Sequence, residues 1–173
     1  MVAIKDILLL AASATAAVIP RNAATIEKDL KTINTDISNL HTAVNNYNGG
    51  GAINALPIQN DEQTLDKAIN SADTDAKNSG AVNDADSKTI IAYIKNTLEP
   101  NIAATLKALI AKKADFAKDG LTSTVLSDLQ TLKKDTDTFG ADLLKKTPSG
   151  QQSAGKAALA KIDADFNNAI KQF

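Results

Sequence analysis

Apolar residues recur along the chain at steps of three and four. Ile26, Leu30, Ile33, Ile37, Leu40, Val44 and Tyr47 follow that rhythm without a gap. An α-helix turns about every 3.6 residues, so this spacing places them on one face. It predicts a first helix over about Asn22–Tyr47, with Asn22 as N-cap. Gly49-Gly50-Gly51 ends it, because glycine accepts the left-handed conformation at a helix C-terminus. Ala52–Gln59 contains Pro57 and reads as a loop whose Leu56 and Ile58 fold back onto the core. A second helix is expected over about Asn60–Asn78, with Asn60 and Gln63 as a capping box. Its inner face is small: Leu65, Ile69, Ala72 and Ala76.

The most apolar stretch outside the N-terminus is Ile90–Phe116, within a third helix starting near Asp84. Ile91, Ile94, Leu98, Ile102, Leu106, Leu109, Lys113 and Phe116 share a face, widened by Ile90 and Ile110. A helix this apolar must be covered by others, which puts it near the middle of a bundle. Pro100 lacks an N–H and crowds the carbonyl four residues earlier, so this element is either one kinked helix or two. Gly120 ends it. A fourth helix, about Thr122–Lys146, carries Val125, Leu129, Leu132, Thr136, Phe139 and Leu143, with Lys145 and Lys146 facing the negative end of its dipole. Pro148 closes that turn. Ser149 and Gln152 form a capping box for a fifth helix bearing Ala158, Leu159, Ile162, Phe166, Ile170 and Phe173. The fold predicted is all-α, a single-domain bundle of five amphipathic helices, or six if the third breaks at Pro100.

The first residues do not belong to that bundle. Lys5 is followed by the short apolar run Ile7–Ala12 and by the small-x-small pattern Ala14-Thr15-Ala16. This is the pattern of a secretory signal peptide over residues 1–17, leaving 18–173 as the exported bundle. No later run is apolar enough to span a bilayer, and the C-terminus lacks a lipid-anchor signal.

Composition removes several kinds of chemistry. The chain of 173 residues has no cysteine, which excludes disulfides and thiolate catalysis. A net charge of −1 with interleaved signs gives no basic patch for nucleic acid. The single histidine, His41, flanks the first seam without an evident acid or base partner. No phosphate-binding glycine loop, nucleophile elbow or His-Glu-x-x-His is present. The acidic groups Asp61-Glu62, Asp73/Asp75, Asp84/Asp86 and Asp135/Asp137 lack calcium-loop spacing and read as helix starts or solvated faces. Neither an enzyme nor a metal or cofactor site is indicated. Two polar residues interrupt apolar seams. Lys113 is expected to extend to water, and Thr136 to bond a carbonyl one turn back or to meet a polar ligand head.

The segments AATIEKDLKTINTDISNLHTAVNNYNGG, DADSKTIIAYIKNTLEPNIAATLKALIAKKADF and GLTSTVLSDLQTLKKDTDTFGADLLKKTP, followed by an alanine-rich helix ending in DADFNNAIKQF, carry a resemblance. So do Asn-Tyr-x-Gly-Gly at Asn46–Gly50, Pro100 within the third helix, and Lys-Lys-x-x-Phe at Lys112–Phe116 before Gly120-Leu121. The chain resembles the fungal hydrophobic surface binding protein A family, which includes secreted cell-wall galactomannoproteins. The resemblance implies a helical bundle that engages apolar partners. Some members adsorb to hydrophobic surfaces, and others enclose a long-chain fatty acid between their helices. Several carry a Ser/Thr-rich tail and a lipid-anchor signal; without these, release to the medium is expected over attachment to the cell wall.

Two functions follow from the resemblance. One is a lipid carrier with an internal cavity. The other is a surface-adsorbing interaction protein that coats hydrophobic material without an internal ligand. Alanine-rich inner faces allow either close helix packing or space between helices, and the resemblance favours space. The expected lining is Ile37, Leu40, Ile94, Leu98, Leu106, Leu129, Leu132, Phe139, Ile162 and Phe166, with Thr136 at the carboxylate end of a bound fatty acid or similar lipid.

Overall fold

The structure, a computed structural model, describes residues 21–173. The leader assigned to residues 1–17 lies outside the described residues, as do the first residues of the segment that follows it. Helices α1 (Arg21–Asn46), α2 (Ala52–Asn78), α3 (Asp84–Tyr93), α4 (Glu99–Ala111), α5 (Lys113–Lys118), α6 (Thr122–Lys146) and α7 (Ser149–Gln172) account for nearly all of it. A π-helical turn, Ile94–Leu98, joins α3 to α4. There is no strand among the described residues.

The packing pairs close a ring. α1 lies against α2, α2 against α6, α6 against α7, α7 against α4, and α4 against α1. The apolar faces turn inward. The whole predicted seam of α1, from Ile26 to Tyr47, is buried, as are Ile91, Ile94, Leu98, Ile102, Leu106, Leu109 and Phe116 along the third element. Lys113, on that same seam, is exposed and donates to the carbonyl of Gln172.

Pro100 does not end its helix. The π turn immediately before it widens the spiral, and Glu99 N–H reaches back five residues to the carbonyl of Ile94. That widening relieves the crowding a proline ring imposes on the preceding turn and absorbs the bond it lacks. The interruption comes later, at Lys112, where the backbone leaves helical geometry (φ −91°, ψ 3°) between α4 and α5. The Lys112 ammonium bonds the Tyr47 carbonyl and, at 3.1 Å, the Asn48 side-chain oxygen, satisfying the end of α1.

Pro57 also lies inside a helix. α2 begins at Ala52, not near Asn60, so the expected loop Ala52–Gln59 is two helical turns. Proline is tolerated because the bond it omits would go to the carbonyl of Ile53, in the first turn, at a residue whose surface faces water. Ile58 packs into the core, whereas Leu56, expected to fold back, is 52% exposed. Asn60 and Gln63 are interior helical residues and form no capping box.

Several other helix ends differ from expectation, while Gly120 ends its helix as expected. α1 begins at Arg21, so Asn22 lies within its first turn. Asn83 caps α3 by accepting from Asp86 N–H at 2.8 Å. Gly120, at φ 72°, ends α5 in a Schellman arrangement, with Leu121 N–H bonded to the Phe116 carbonyl at 2.8 Å. Ser149 makes no cap bond, and Gln152 instead reaches back to the Thr147 carbonyl at 3.2 Å. Lys146 bonds the Ser79 carbonyl at 2.7 Å, capping α2 in place of its own helix.

Candidate functional site

The ring of helices encloses an apolar cavity of about 60 Å³. α1 contributes Leu30, Ile33, Ile37 and Leu40; α2 contributes Leu65 and Ile69. The π turn supplies Ile94 and Leu98, and α4 adds Ile102, Thr105, Leu106 and Leu109. α6 lines it with Leu129, Leu132, Thr136, Phe139, Gly140 and Leu143, and α7 with Leu159, Ile162 and Phe166. Every residue named from the sequence as lining therefore borders this one space: Ile37, Leu40, Ile94, Leu98, Leu106, Leu129, Leu132, Thr136, Phe139, Ile162 and Phe166.

The sequence reading missed part of the wall. Ile102 and Leu109 lie on the same seam as Leu106, and Leu30 and Ile33 on that of Ile37, so the periodicity contained them. Gly140 carried no apolar signal; it lines the cavity because α7 approaches α6 closely there. Thr105 is buried, and its hydroxyl donates to the Asn101 carbonyl at 2.8 Å. Thr136 is half-buried and makes no such bond among the described residues. Thr138 is the residue that bonds a carbonyl one turn back, that of Lys134, at 2.9 Å. The Thr136 hydroxyl is thus left for a partner other than its own helix.

A smaller cavity, about 30 Å³, adjoins the first across Leu40, Leu109, Leu129 and Leu132. Ile58, Val125, Glu62 and Asp128 complete it. Burial, then the negative charges of Asp128 and Asp66, push the Glu62 carboxyl up to about 7. Burial also raises Asp128. Like-charged carboxylates recur on this side of the bundle: burial and then Asp135 raise Asp66, and burial and then Asp61 raise Asp36.

The opposite logic holds at Asp119, in the turn between α5 and α6. The Tyr47 hydroxyl and the Gly51 N–H, the latter at 2.8 Å, both donate to its carboxylate and hold it below the usual range. Tyr47 stacks on Phe116 with ring centres 4.7 Å apart. Across the ring, Lys161 pairs with the buried Glu99 at 2.8 Å, and Lys133 with Asp137 at 2.7 Å and with Asp163. These pairs tie α7 to α4 and to α6.

Neither cavity places a nucleophile beside a base. His41 borders neither of them. Among the described residues no cluster of three or more histidine or carboxylate side chains is arranged to hold a metal ion, and no helix is long and apolar enough to cross a membrane. What the site offers is apolar volume with two polar margins, Thr136 in one wall and the Glu62–Asp128 pair at the other.

The sequence profile of hydrophobic surface binding protein A matches residues 23–145. The chain belongs to that family. The structure is similar to that of AFMP4P in complex with palmitic acid, at 36% identity and a TM-score of 0.83, covering 87% of this chain and 98% of that one. It is also similar to ligand-binding domain 1 of the Penicillium marneffei MP1 protein, solved with arachidonic acids, at 18% identity and a TM-score of 0.82, covering 88% and 98%. Ligand-binding domain 2 of the same protein, complexed with multiple arachidonic acids, gives 17% identity and a TM-score of 0.80 over 86% and 94%. At those identities the two MP1 domains speak for the fold alone. No curated protein matches the chain.

Proposed function

We propose that the protein is an exported, non-catalytic carrier that holds a long-chain fatty acid or similar lipid between its helices. The observation that carries this reading is the enclosed cavity, walled by aliphatic side chains from all five sides of the ring. The 36% identity to AFMP4P, solved with palmitic acid, supports the choice of ligand. An acyl chain entering the cavity removes apolar surface from water, worth about 0.8 kcal/mol per buried methylene before the costs of binding.

The cavity must grow to accept one. Small-molecule pockets are roughly 300–1,000 Å³, several times the volume present here. The means of growth are local. Ala72 and Ala76 of α2 and Ala158 and Ala169 of α7 form small buried faces, where neighbouring helices move apart at little cost in lost side-chain contact. Thr136 is the polar group in the main wall that can meet a ligand head.

Adsorption to a hydrophobic surface is the second reading. Ile53, 79% exposed, and Leu56 form an apolar edge on the first turns of α2. Two side chains are a small contact for coating a surface, since functional patches on monomers run to roughly 300–600 Å². The cavity therefore carries the main reading. Titration calorimetry of delipidated protein with palmitic acid tests it, with Leu132→Trp as comparison. Leu132 is 4% exposed and borders both cavities. Wild type should bind and the folded variant should not. Equal binding by the two, or none by wild type, would return the function to the surface.

A further inference from the structure

The first two turns of α2, Ala52–Ile58, are loosely held. Of their side chains only Ile58 is buried and Ala55 partly so, while Ile53, Leu56 and Pro57 face water. An open groove of about 460 Å³, bordered by Ala43, Tyr47, Ile53 and Pro57, lies between them and the end of α1. No side chain from Gly49 to Asn60 is charged, so no ion pair anchors the segment. Pro57 has no N–H to return to the Ile53 carbonyl, and Gly51 provides no side-chain cap. The chain enters these turns through three successive glycines in the left-handed region, Gly49 at φ 79°, Gly50 at 101° and Gly51 at 85°. Such a run has no side chains to fix its conformation. Among the described residues, Asp119 is the sole hydrogen-bond partner that Gly49–Ile58 finds outside α2 and its own turn, taking the Gly51 N–H at 2.8 Å.

Beneath these turns lies a way inward. Ile58 borders the smaller cavity, which adjoins the main one across Leu40, Leu109, Leu129 and Leu132. Unwinding Ala52–Ile58 lifts Ile58 away and opens that route to the surface. We infer that Ala52–Ile58 is a lid, hinged at Gly49-Gly50-Gly51 and latched by Asp119, through which the lipid enters and leaves. The inference rests on the lipid-carrier reading and adds the route to it. Opening here gives up one fully buried side chain and one latch. Parting the ring elsewhere costs more. It separates the continuous buried seam of α1 from Ile26 to Tyr47, or it breaks the pairing of the buried Glu99 with Lys161. Segments with few buried contacts are those that open first. Exposed Ile53 and Leu56 give the lid an apolar outer edge, along which an acyl chain can lie as it passes.

The test is kinetic, because a gate changes how fast a ligand exchanges and leaves its bound state alone. Delipidated protein is mixed with the fluorescent fatty acid cis-parinaric acid in a stopped-flow instrument, and release is followed by displacement with palmitic acid. Asp119→Ala removes the latch. Opening precedes both entry and exit, so both rates should rise together, by roughly fivefold or more for the loss of a hydrogen bond to a charged group. Their ratio, Kd, should stay within about twofold of wild type, since a factor common to both rates cancels. Pro57→Ala tests the lid without touching the latch: it restores the N–H that faces the Ile53 carbonyl and should slow both rates together. Lys161→Ala weakens the far side of the ring and should leave both rates at wild-type values. Unchanged rates in Asp119→Ala and Pro57→Ala overturn the lid while leaving the carrier intact. Equal acceleration by Lys161→Ala overturns it too, since exchange then follows the stability of the whole bundle. Failure of wild type to bind cis-parinaric acid or palmitic acid overturns the carrier reading and the lid with it.

Discussion

Gly140 of α6 is the socket for Leu159 of α7. A Cβ at Gly140 would lie 2.6 Å from one Leu159 methyl and 2.9 Å from the other, closer than real contacts allow. The arrangement is reciprocal: a Cβ at Gly155 of α7 would lie 2.8 Å from a methyl of Leu144 on α6. Each helix thus gives up a side chain where the other presents a leucine, and Leu159 is seated at the wall of the main cavity.

The socket predicts that Gly140→Ala impairs binding more than folding. Alanine gains about 1 kcal/mol over glycine in helix propensity. Against this stands the displacement of Leu159, of the order of 1–3 kcal/mol for an extra methyl in a packed place. The two nearly cancel, so denaturant unfolding should shift by no more than about 2 kcal/mol. Leu159 is half-buried, with the cavity on one side and solvent on the other; displaced into the cavity, it should lower palmitate affinity several-fold. A variant with wild-type affinity would mean that Leu159 moves outward.

The carboxylates around α2 predict an acid-side stability maximum. Glu62 is raised in the folded state from 4.5 to about 7, so folding favours its protonated form. The stability this gives is fully present below about pH 4.5 and is lost as pH rises through about 7. Asp128, Asp66 and Asp36 are raised by burial and act in the same sense. Asp119, Asp84 and Asp142 are lowered by hydrogen bonds and act oppositely, losing their contribution as pH falls through the carboxylate range. Thermal unfolding should therefore peak near about pH 5, and Glu62→Gln should flatten the decline toward pH 8 by the order of 1–2 kcal/mol. An undiminished decline in Glu62→Gln would assign it to other groups.

The clasp at the end of α1 makes a separate prediction. Tyr47 is 3% exposed, stacks on Phe116 and donates to Asp119, which also holds the Gly51 N–H. Tyr47→Phe keeps the stack and removes only the hydroxyl. Its melting temperature should fall by roughly 2–4 °C, the response of a chain this size to a change near 1 kcal/mol. Asp119→Ala alone should cost more than Tyr47→Phe, because it leaves a buried hydroxyl and the Gly51 amide without acceptors. In a double-mutant cycle the two should couple; strict additivity would separate the clasp into unrelated contacts.

The main cavity was legible because its walls are the apolar seams themselves, and every helix that closes the ring shows its seam in the sequence. The Glu62–Asp128 margin was not legible, and the cause is traceable to Pro57. Taking Pro57 as a loop residue starts α2 near Asn60 and turns Asp61-Glu62 into ordinary first-turn acids. With the helix beginning at Ala52, Ile58, Glu62, Leu65 and Ile69 fall on one buried face, and Glu62 becomes an inward-facing charge. Pro100 left one kinked helix or two as alternatives, because local proline chemistry does not reveal that a π turn will absorb it. The socket at Gly140 was invisible for another reason: it depends on which leucine of a distant helix arrives there.

The last prediction separates a binding cavity from a packing defect. Leu129 is 1% exposed and borders both cavities. Leu129→Ala removes buried methyl groups and should cost about 2–5 kcal/mol, as such truncations do. If the space beside Leu129 receives an acyl chain, the truncated site has more room for it, and ligand contacts replace those lost. Saturating lipid stabilises any protein that binds it only when folded, by about 2.7 kcal/mol at a hundred times Kd. Leu129→Ala should gain more than wild type from added palmitic acid, so that the gap between them narrows in its presence. Phe116→Ala provides the comparison, since Phe116 is equally buried but borders neither cavity. It should be destabilised to a similar degree and gain only the wild-type increment. Chemical denaturation of the three proteins with and without lipid measures both gaps. A Leu129→Ala gap that stays as wide with palmitic acid as without it would mean the ligand never reaches Leu129, and would move the acyl site away from the α2–α6 side of the bundle.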